Sequence, residues 1–132
     1  MEKLKKFLGG DAFAARAGVE LLEIRPGYAR ARMEVTPDHL NAGGVCQGGA
    51  LFTLADLAFA AVANSQGQLT LSLGANMTFL RPVAKGFVEA EATEVFVHPR
   101  VPYIEVRLTD SEGRLVAVMT SSGYRKKESV FG

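Results

Sequence analysis

The sequence predicts an α+β domain in which an antiparallel sheet, wet on one face, curls around a single apolar helix. Three observations carry this. Tyr28 to Val35 alternates cleanly, with Ala29, Ala31, Met33 and Val35 on one face and Tyr28, Arg30, Arg32 and Glu34 on the other, the period of a strand with one side in water. Ala50 to Asn64 is Ala, Leu, Phe and Val on nearly every side, which describes a helix enclosed by other structure. The 42 residues from His39 to Leu80 contain one formal charge, Asp56, whereas the remaining 90 hold 28. At 132 residues the chain suits one domain and leaves no room for a second core. The expected division is a core over residues 18–124, an N-terminal helical segment over 2–16 and a polar, frayed tail over 125–132.

In order along the chain, Glu2 to Arg16 sets Leu4, Phe7, Leu8 and Ala15 at helical spacings, interrupted by Gly9-Gly10, so one helix or two short ones are expected. Val19, Leu21, then Leu22 and Ile24 suggest a strand with a slip. Arg25-Pro26-Gly27 turns it into the Tyr28 strand. Thr36-Pro37-Asp38 opens a very short helix, and Asn41 to Gly49 is a glycine-rich loop feeding the long apolar helix, which Gly67 and its polar neighbours stop. Four strands follow: Leu69 to Leu80, Phe87 to Val97, Val101 to Leu108 and Leu115 to Tyr124. Asp110 to Gly113 is the hairpin connection between the last two.

Composition excludes several functions. A net charge of +1 gives no field for a polyanion, so neither nucleic acid nor a membrane surface is an expected partner. One cysteine, Cys46, and two histidines, His39 and His98, cannot build a cysteine-based zinc site, and no metal or bound cofactor is implied. The start MEKLKKFLGG lacks an apolar signal core. The stretch Gly48 to Ala63 falls short of the roughly 20 apolar residues that span a bilayer. A cytoplasmic protein is expected.

Asp56 needs a reason to stand in an apolar helix, because an unpaired buried carboxylate costs several kcal/mol. A hydrogen bond from Thr53 or Ser72 is one. The other is chemistry: the glycine loop leads into a helix N-terminus, whose free N–H groups can stabilise an oxyanion, and carboxylate plus oxyanion donor suits acyl transfer. The loop has neither Lys-Ser/Thr after its glycines nor G-x-G-x-x-G spacing, so those nucleotide motifs are absent. Gly48 and Asp56 are eight residues apart, roughly 12 Å along a helix. They cannot flank one carbonyl within a chain, so a shared reaction requires two antiparallel central helices in an isologous dimer.

His39-Leu40-Asn41, Gly44-Val45-Cys46-Gln47-Gly48-Gly49, Leu54-Ala55-Asp56 and Asn76-Met77-Thr78-Phe79-Leu80-Arg81-Pro82 occur in this order. Over about Gly18 to Tyr124 the chain resembles the hotdog-fold acyl-CoA thioesterases of the PaaI-like (phenylacetyl-CoA thioesterase) group. The resemblance implies a hotdog fold, a curved antiparallel sheet wrapped around a long central helix, and hydrolysis of small to medium acyl-CoA, arylacyl-CoA included, to free acid and CoA. It implies Asp56 as nucleophile or general base, Gly48 as backbone donor to the thioester carbonyl, Asn41 beside the thioester and Ser72 as an aid to the water. The group's usual His before the first helix glycine is Gln47 here, whose amide can donate to the carbonyl but cannot titrate. A homotetramer built as a dimer of dimers follows from the resemblance alone.

Arg81, His98 and Arg100 are candidates for the CoA phosphates, and Phe59 and Phe79 for the acyl pocket. Phe59 stands out because it lies three positions after Asp56. Cys46 lacks a His partner in sequence and reads as a packing residue. Two rivals are a hotdog dehydratase, which wants a His where Gln47 stands, and a non-catalytic acyl-CoA sensor, which would not require Asp56.

Overall fold

The computed structural model describes residues 1–131. The elements are α1 (Glu2–Leu8), α2 (Ala12–Arg16), β1 (Val19–Arg25), β2 (Tyr28–Val35), a 3-10 turn (Pro37–His39), α3 (Gly48–Ala63), β3 (Gln68–Phe79), β4 (Gly86–Phe96), β5 (Tyr103–Thr109) and β6 (Leu115–Ser129). The six strands form one antiparallel sheet in the order β1-β2-β4-β5-β6-β3, and α3 packs across it, chiefly on β2, β4 and β5.

The alternation in β2 sets its inner face. Ala29, Ala31 and Met33 are fully buried, as are their cross-strand partners Ala92, Ala90 and Val88 on β4. Small alanines bring the sheet close to α3, and Leu54, Ala58 and Ala61 meet it with no exposed surface. The expected slip in β1 is a register shift between Leu21 and Glu23. Gly27 and Gly113 have φ of +77° and +80° in their hairpin turns, a region open to glycine at no steric cost. The N-terminal segment is two helices. Leu4, Leu8 and Ala14 are buried, whereas Phe7 and Ala15, expected on the apolar face, are exposed.

Two expectations are corrected. The tail is not frayed from Arg125: β6 runs to Ser129, Arg125 is 2% exposed and Val130 is 6% exposed. Gly132, the end of the expected tail, lies outside the described residues. The physical reason is a long-range ion pair. Arg125 Nη2 lies 3.5 Å from Glu94 Oε1, both side chains are buried, and Arg125 Nη1 donates to the His98 carbonyl at 3.2 Å. Glu94→Ala leaves the Arg125 charge buried without its counter-charge, and a loss of about 3–5 kcal/mol is expected, read as a lower midpoint in urea.

The second correction concerns α3, which is not enclosed on every side. Leu51, Leu54, Ala55, Leu57, Ala58 and Phe59 are buried, but Gly49, Phe52 and Asp56 form a more open stripe facing away from the sheet. Beside it, β3 is a sheet edge of twelve residues with no neighbour on its outer side among the described residues. Leu71, Leu73 and Phe79 on that strand are 52–61% exposed. A long edge carrying exposed apolar side chains is a pairing surface that folded proteins normally cover. Among the described residues no helix is long and apolar enough to cross a membrane.

Candidate active site

The loop before α3 is built to hold a helix start open. Asn41 Oδ1 accepts from Gly43 N–H at 2.9 Å and Val45 N–H at 3.3 Å, curling the loop. Cys46 N–H donates to the Val83 carbonyl at 2.7 Å and Gln47 N–H to the His39 carbonyl at 2.8 Å. Both bonds pin the chain just before the helix. The Gln47 carbonyl then accepts from Ala50 and Leu51. The N–H groups of Gly48 and Gly49 have no acceptor among the described residues, so the first turn presents two parallel donors at the positive end of a 16-residue helix. A Cβ on Gly48 would come within 3.0 Å of Phe79 Cζ, so the ring lies against this turn.

Asn41, Gly48, Phe79 and Arg81 therefore line one cleft. Gln47 is exposed and does not line this cleft: its side chain turns over Gly49, into the groove on the other side of the turn. Cys46 is 5% exposed and burial pushes its thiol up from the ordinary value, the opposite of what a nucleophile needs.

Asp56 is exposed in the protomer, two helical turns beyond Gly48, rather than enclosed as its apolar surroundings suggest. The Thr53 hydroxyl donates to the Gly49 carbonyl at 2.8 Å and does not serve it. Burial of part of its surroundings, and then the negative charge of Asp11 at the start of α2, hold its carboxyl above the usual carboxylate range. A carboxylate with that basicity and no bound donor can take a proton from water. Ser72 lies opposite Gly123 of β6. A Cβ on Gly123 would meet Phe59 at 3.3 Å and the Leu71 carbonyl at 2.9 Å, so Ser72 belongs to the helix-facing side of β3.

Other candidates lie elsewhere. Phe59 is 3% exposed and packed over Gly123, so it is a core residue and not a pocket wall. The open phenylalanines are Phe79 and Phe52, which is 37% exposed one turn before Asp56. His98 and Arg100 form the β4–β5 turn: His98 Nδ1 accepts from the Arg100 and Val101 amides at 3.0 and 2.9 Å, and Arg100 Nη1 donates to the Arg125 carbonyl at 3.0 Å. These bonds hold the turn against Arg125 of β6, and neither residue lines the cleft of Gly48. Phe13 and Arg16 stand in no motif and His39 only precedes Asn41 in one, and the structure brings all three to the first turns of α3.

Known proteins bear on this geometry. A sequence profile for the thioesterase superfamily matches residues 43–117, from the glycine loop through α3 and into β6. The chain belongs to this superfamily. A protein of Archaeoglobus fulgidus, named provisionally as an esterase, is 34% identical to the thioesterase over 130 residues, 97% of this chain and 84% of its own. The acyl-coenzyme A thioesterase PaaI of Escherichia coli is 29% identical over 123 residues, 92% of this chain and 88% of its own. The solved Escherichia coli PaaI structure superposes with a TM-score of 0.88 at 30% identity, covering 92% and 88% of the two chains. The TT0310 protein from Thermus thermophilus does so with a TM-score of 0.84 at 38% identity, covering 88% and 98%. The thioesterase thus has the PaaI-like hotdog fold and is a thioester hydrolase.

Proposed function

We propose that the thioesterase hydrolyses small to medium acyl-CoA, arylacyl-CoA included, in the cytoplasm, as an antiparallel dimer with two sites, each made by both subunits. The observation that carries this reading is the separation of the two open features of α3. The free N–H pair at Gly48 and Gly49 and the unpaired Asp56 are two helical turns apart, both off the sheet-facing side. One thioester can meet both only across a pair of antiparallel helices. The unpaired β3 edge supplies the surface for such a pair, joining two sheets end to end. The kinship with the Escherichia coli acyl-coenzyme A thioesterase PaaI supports CoA as the thiol.

In the reaction the Gly48 N–H polarises the thioester carbonyl and holds the oxyanion as the carbon becomes tetrahedral. The partner's Asp56 takes a proton from water, whose oxygen bonds to that carbon. The C–S bond then breaks, CoA leaves as thiolate and is protonated, and the free acid remains. Attack by the Asp56 carboxylate itself is the alternative route, since raised basicity serves a carboxylate both as base and as nucleophile. Single turnover in labelled water separates the two, since label in the Asp56 carboxylate requires a mixed anhydride. Asn41 borders the thioester through its free amide, Ser72 assists the water from β3, and Gln47 donates from the Gly49 side of the turn. Arg81 at the cleft meets the CoA phosphates. No metal or cofactor enters these steps, and a second pairing of dimers into a tetramer belongs to the same reading.

Gly48→Pro is a clean test. Proline is favoured at the first helical position and removes the N–H. Gln47 is already extended, with φ −64° and ψ 140°, as the residue before proline requires, and the half-exposed Phe79 ring can yield to the new atoms. The expected kcat in a thiol-release assay over an acyl-CoA panel falls about 10²-fold with the melting temperature kept. Unchanged turnover would sink the oxyanion assignment. CoA binding without hydrolysis by the wild type would favour a sensor instead.

A further inference from the structure

Two grooves meet at the first turn of α3. One passes Gly48 and Leu51 beneath Phe79, Leu80 and Arg81. The other, of about 420 Å³, passes Gly49, Ala50 and Thr53 and is walled by Phe13, Ala17 and Leu40. This volume is in the range of small-ligand sites. A thioester with its carbonyl at the free N–H pair has two substituents on the carbonyl carbon, one on either side, and each needs its own path. We propose that the groove beside α2 receives the acyl group and that Phe13 sets which acyl groups fit. The proposal rests on the thioester site described above.

Charge divides the two paths. The groove under Arg81 contains that cation and no acidic residue, which suits the phosphates of CoA. The groove beside α2 contains one cation and one carboxylate, Arg16 and Asp38, and its remaining walls are mainly apolar. It offers an uncharged chain or ring a surface, and its one cation is offset by a carboxylate, whereas Arg81 in the other groove is not.

The α2 wall is preformed. A five-residue helix does not hold its own position, but this one is fastened at both ends. Asp11 Oδ1 accepts from Ala14 N–H at 3.0 Å. At the other end His39 Nε2 lies 2.6 Å from the Ala17 carbonyl, while His39 Nδ1 accepts from Thr36 N–H at 2.9 Å. These partners assign a neutral ring protonated on Nε2. The same residue's carbonyl receives Gln47 N–H. His39 thus ties the acyl wall and the oxyanion turn to one point, and its ring, with both nitrogens occupied, is not an acid or base in the reaction. Phe13 stands on that fixed wall 74% exposed, a rigid aromatic surface without a covering side chain.

The test measures affinity and turnover together. Non-hydrolysable analogues with a methylene between carbonyl and sulfur, one phenylacetyl and one acetyl, are titrated against wild type, Phe13→Ala and Arg81→Gln, and kcat/KM is measured for the matching thioesters. Phe13 is exposed, so Phe13→Ala keeps the fold. The expected result is a fall of about tenfold in the phenylacetyl-to-acetyl ratio for Phe13→Ala, in both binding and kcat/KM. Arg81→Gln should weaken both analogues by the same factor. An unchanged ratio in Phe13→Ala overturns the proposal, and so does an unchanged ratio with altered molecular mass, which assigns Phe13 to a contact between copies. If wild type binds the analogues with a Phe13-dependent ratio yet releases no thiol, the hydrolysis reading fails and the groove assignment stands.

Discussion

Asp56→Asn is expected to lower kcat about 10³-fold with little change in KM. The amide has the carboxylate's shape and cannot take a proton from water, so binding persists while chemistry stops. Two further signs separate this from damage to the fold. In the wild type, kcat/KM should rise with pH through a midpoint above that of an ordinary carboxylate, because burial and then the Asp11 charge raise the Asp56 titration. Asp11→Asn should move that midpoint down. The stability effect has the opposite sign from the usual acidic residue. Asp56 binds its proton more tightly in the folded chain than in the unfolded one, so between the two titrations the folded state carries more protons and stability falls as pH rises. At neutral pH the ionised Asp56 works against the fold, and Asp56→Asn should melt slightly higher while being inactive. An Asp56→Asn protein that turns over normally contradicts the mechanism.

The second large effect comes from one proline. Leu80 N–H donates to the Val116 carbonyl at 2.8 Å, and the register from Gly74 to Phe79 against β6 is unbroken. In an antiparallel ladder that phase turns the N–H groups of Ala75, Met77 and Phe79 away from β6, toward the open edge. Ala75→Pro therefore keeps the β3–β6 ladder and strips a donor from the edge, where proline is tolerated in a protomer and blocks pairing with another strand. Sedimentation should show half the wild-type mass, and hydrolysis should fall about 10²-fold or more, since each site loses the Asp56 that the other subunit brings. A monomer with full activity contradicts the two-subunit site.

Much of the fold was legible because its signals are local. The alternation of β2, the doubled apolar pair in β1 and the glycines of the hairpins each determine their own stretch of backbone. The open stripe on α3 was not, because Ala, Leu and Phe read alike whether a chain's own sheet or a second copy covers them. The choice among phenylalanines turned on a distant glycine. Phe52 and Phe59 both lie near Asp56 along the helix, and only the missing side chain at Gly123 gives Phe59 a seat in the core. The tail misled for a similar reason: Arg125 reads as a surface cation until its pairing with Glu94 brings it inside. For the site, Asn41, Gly48, Phe79 and Arg81, which stand in three separate motifs, line one cleft. Phe13 carries no signal in the sequence because its place depends on α2 folding back against the start of α3, and His39 stands in the first motif with no role implied for it.

In the proposed site the oxyanion donor comes from one subunit and the carboxylate from the other, and subunit mixing tests this most directly. Gly48→Pro and Asp56→Asn are unfolded together in equal amounts and refolded, so that half of the dimers carry one chain of each kind. In such a dimer one site pairs the intact Gly48 of one chain with the intact Asp56 of the other, while its second site carries both changes. Recovery to about a quarter of wild-type activity is expected from two nearly inactive parents. A mixture no more active than its parents, with mixed dimers demonstrated by mass, contradicts the shared site.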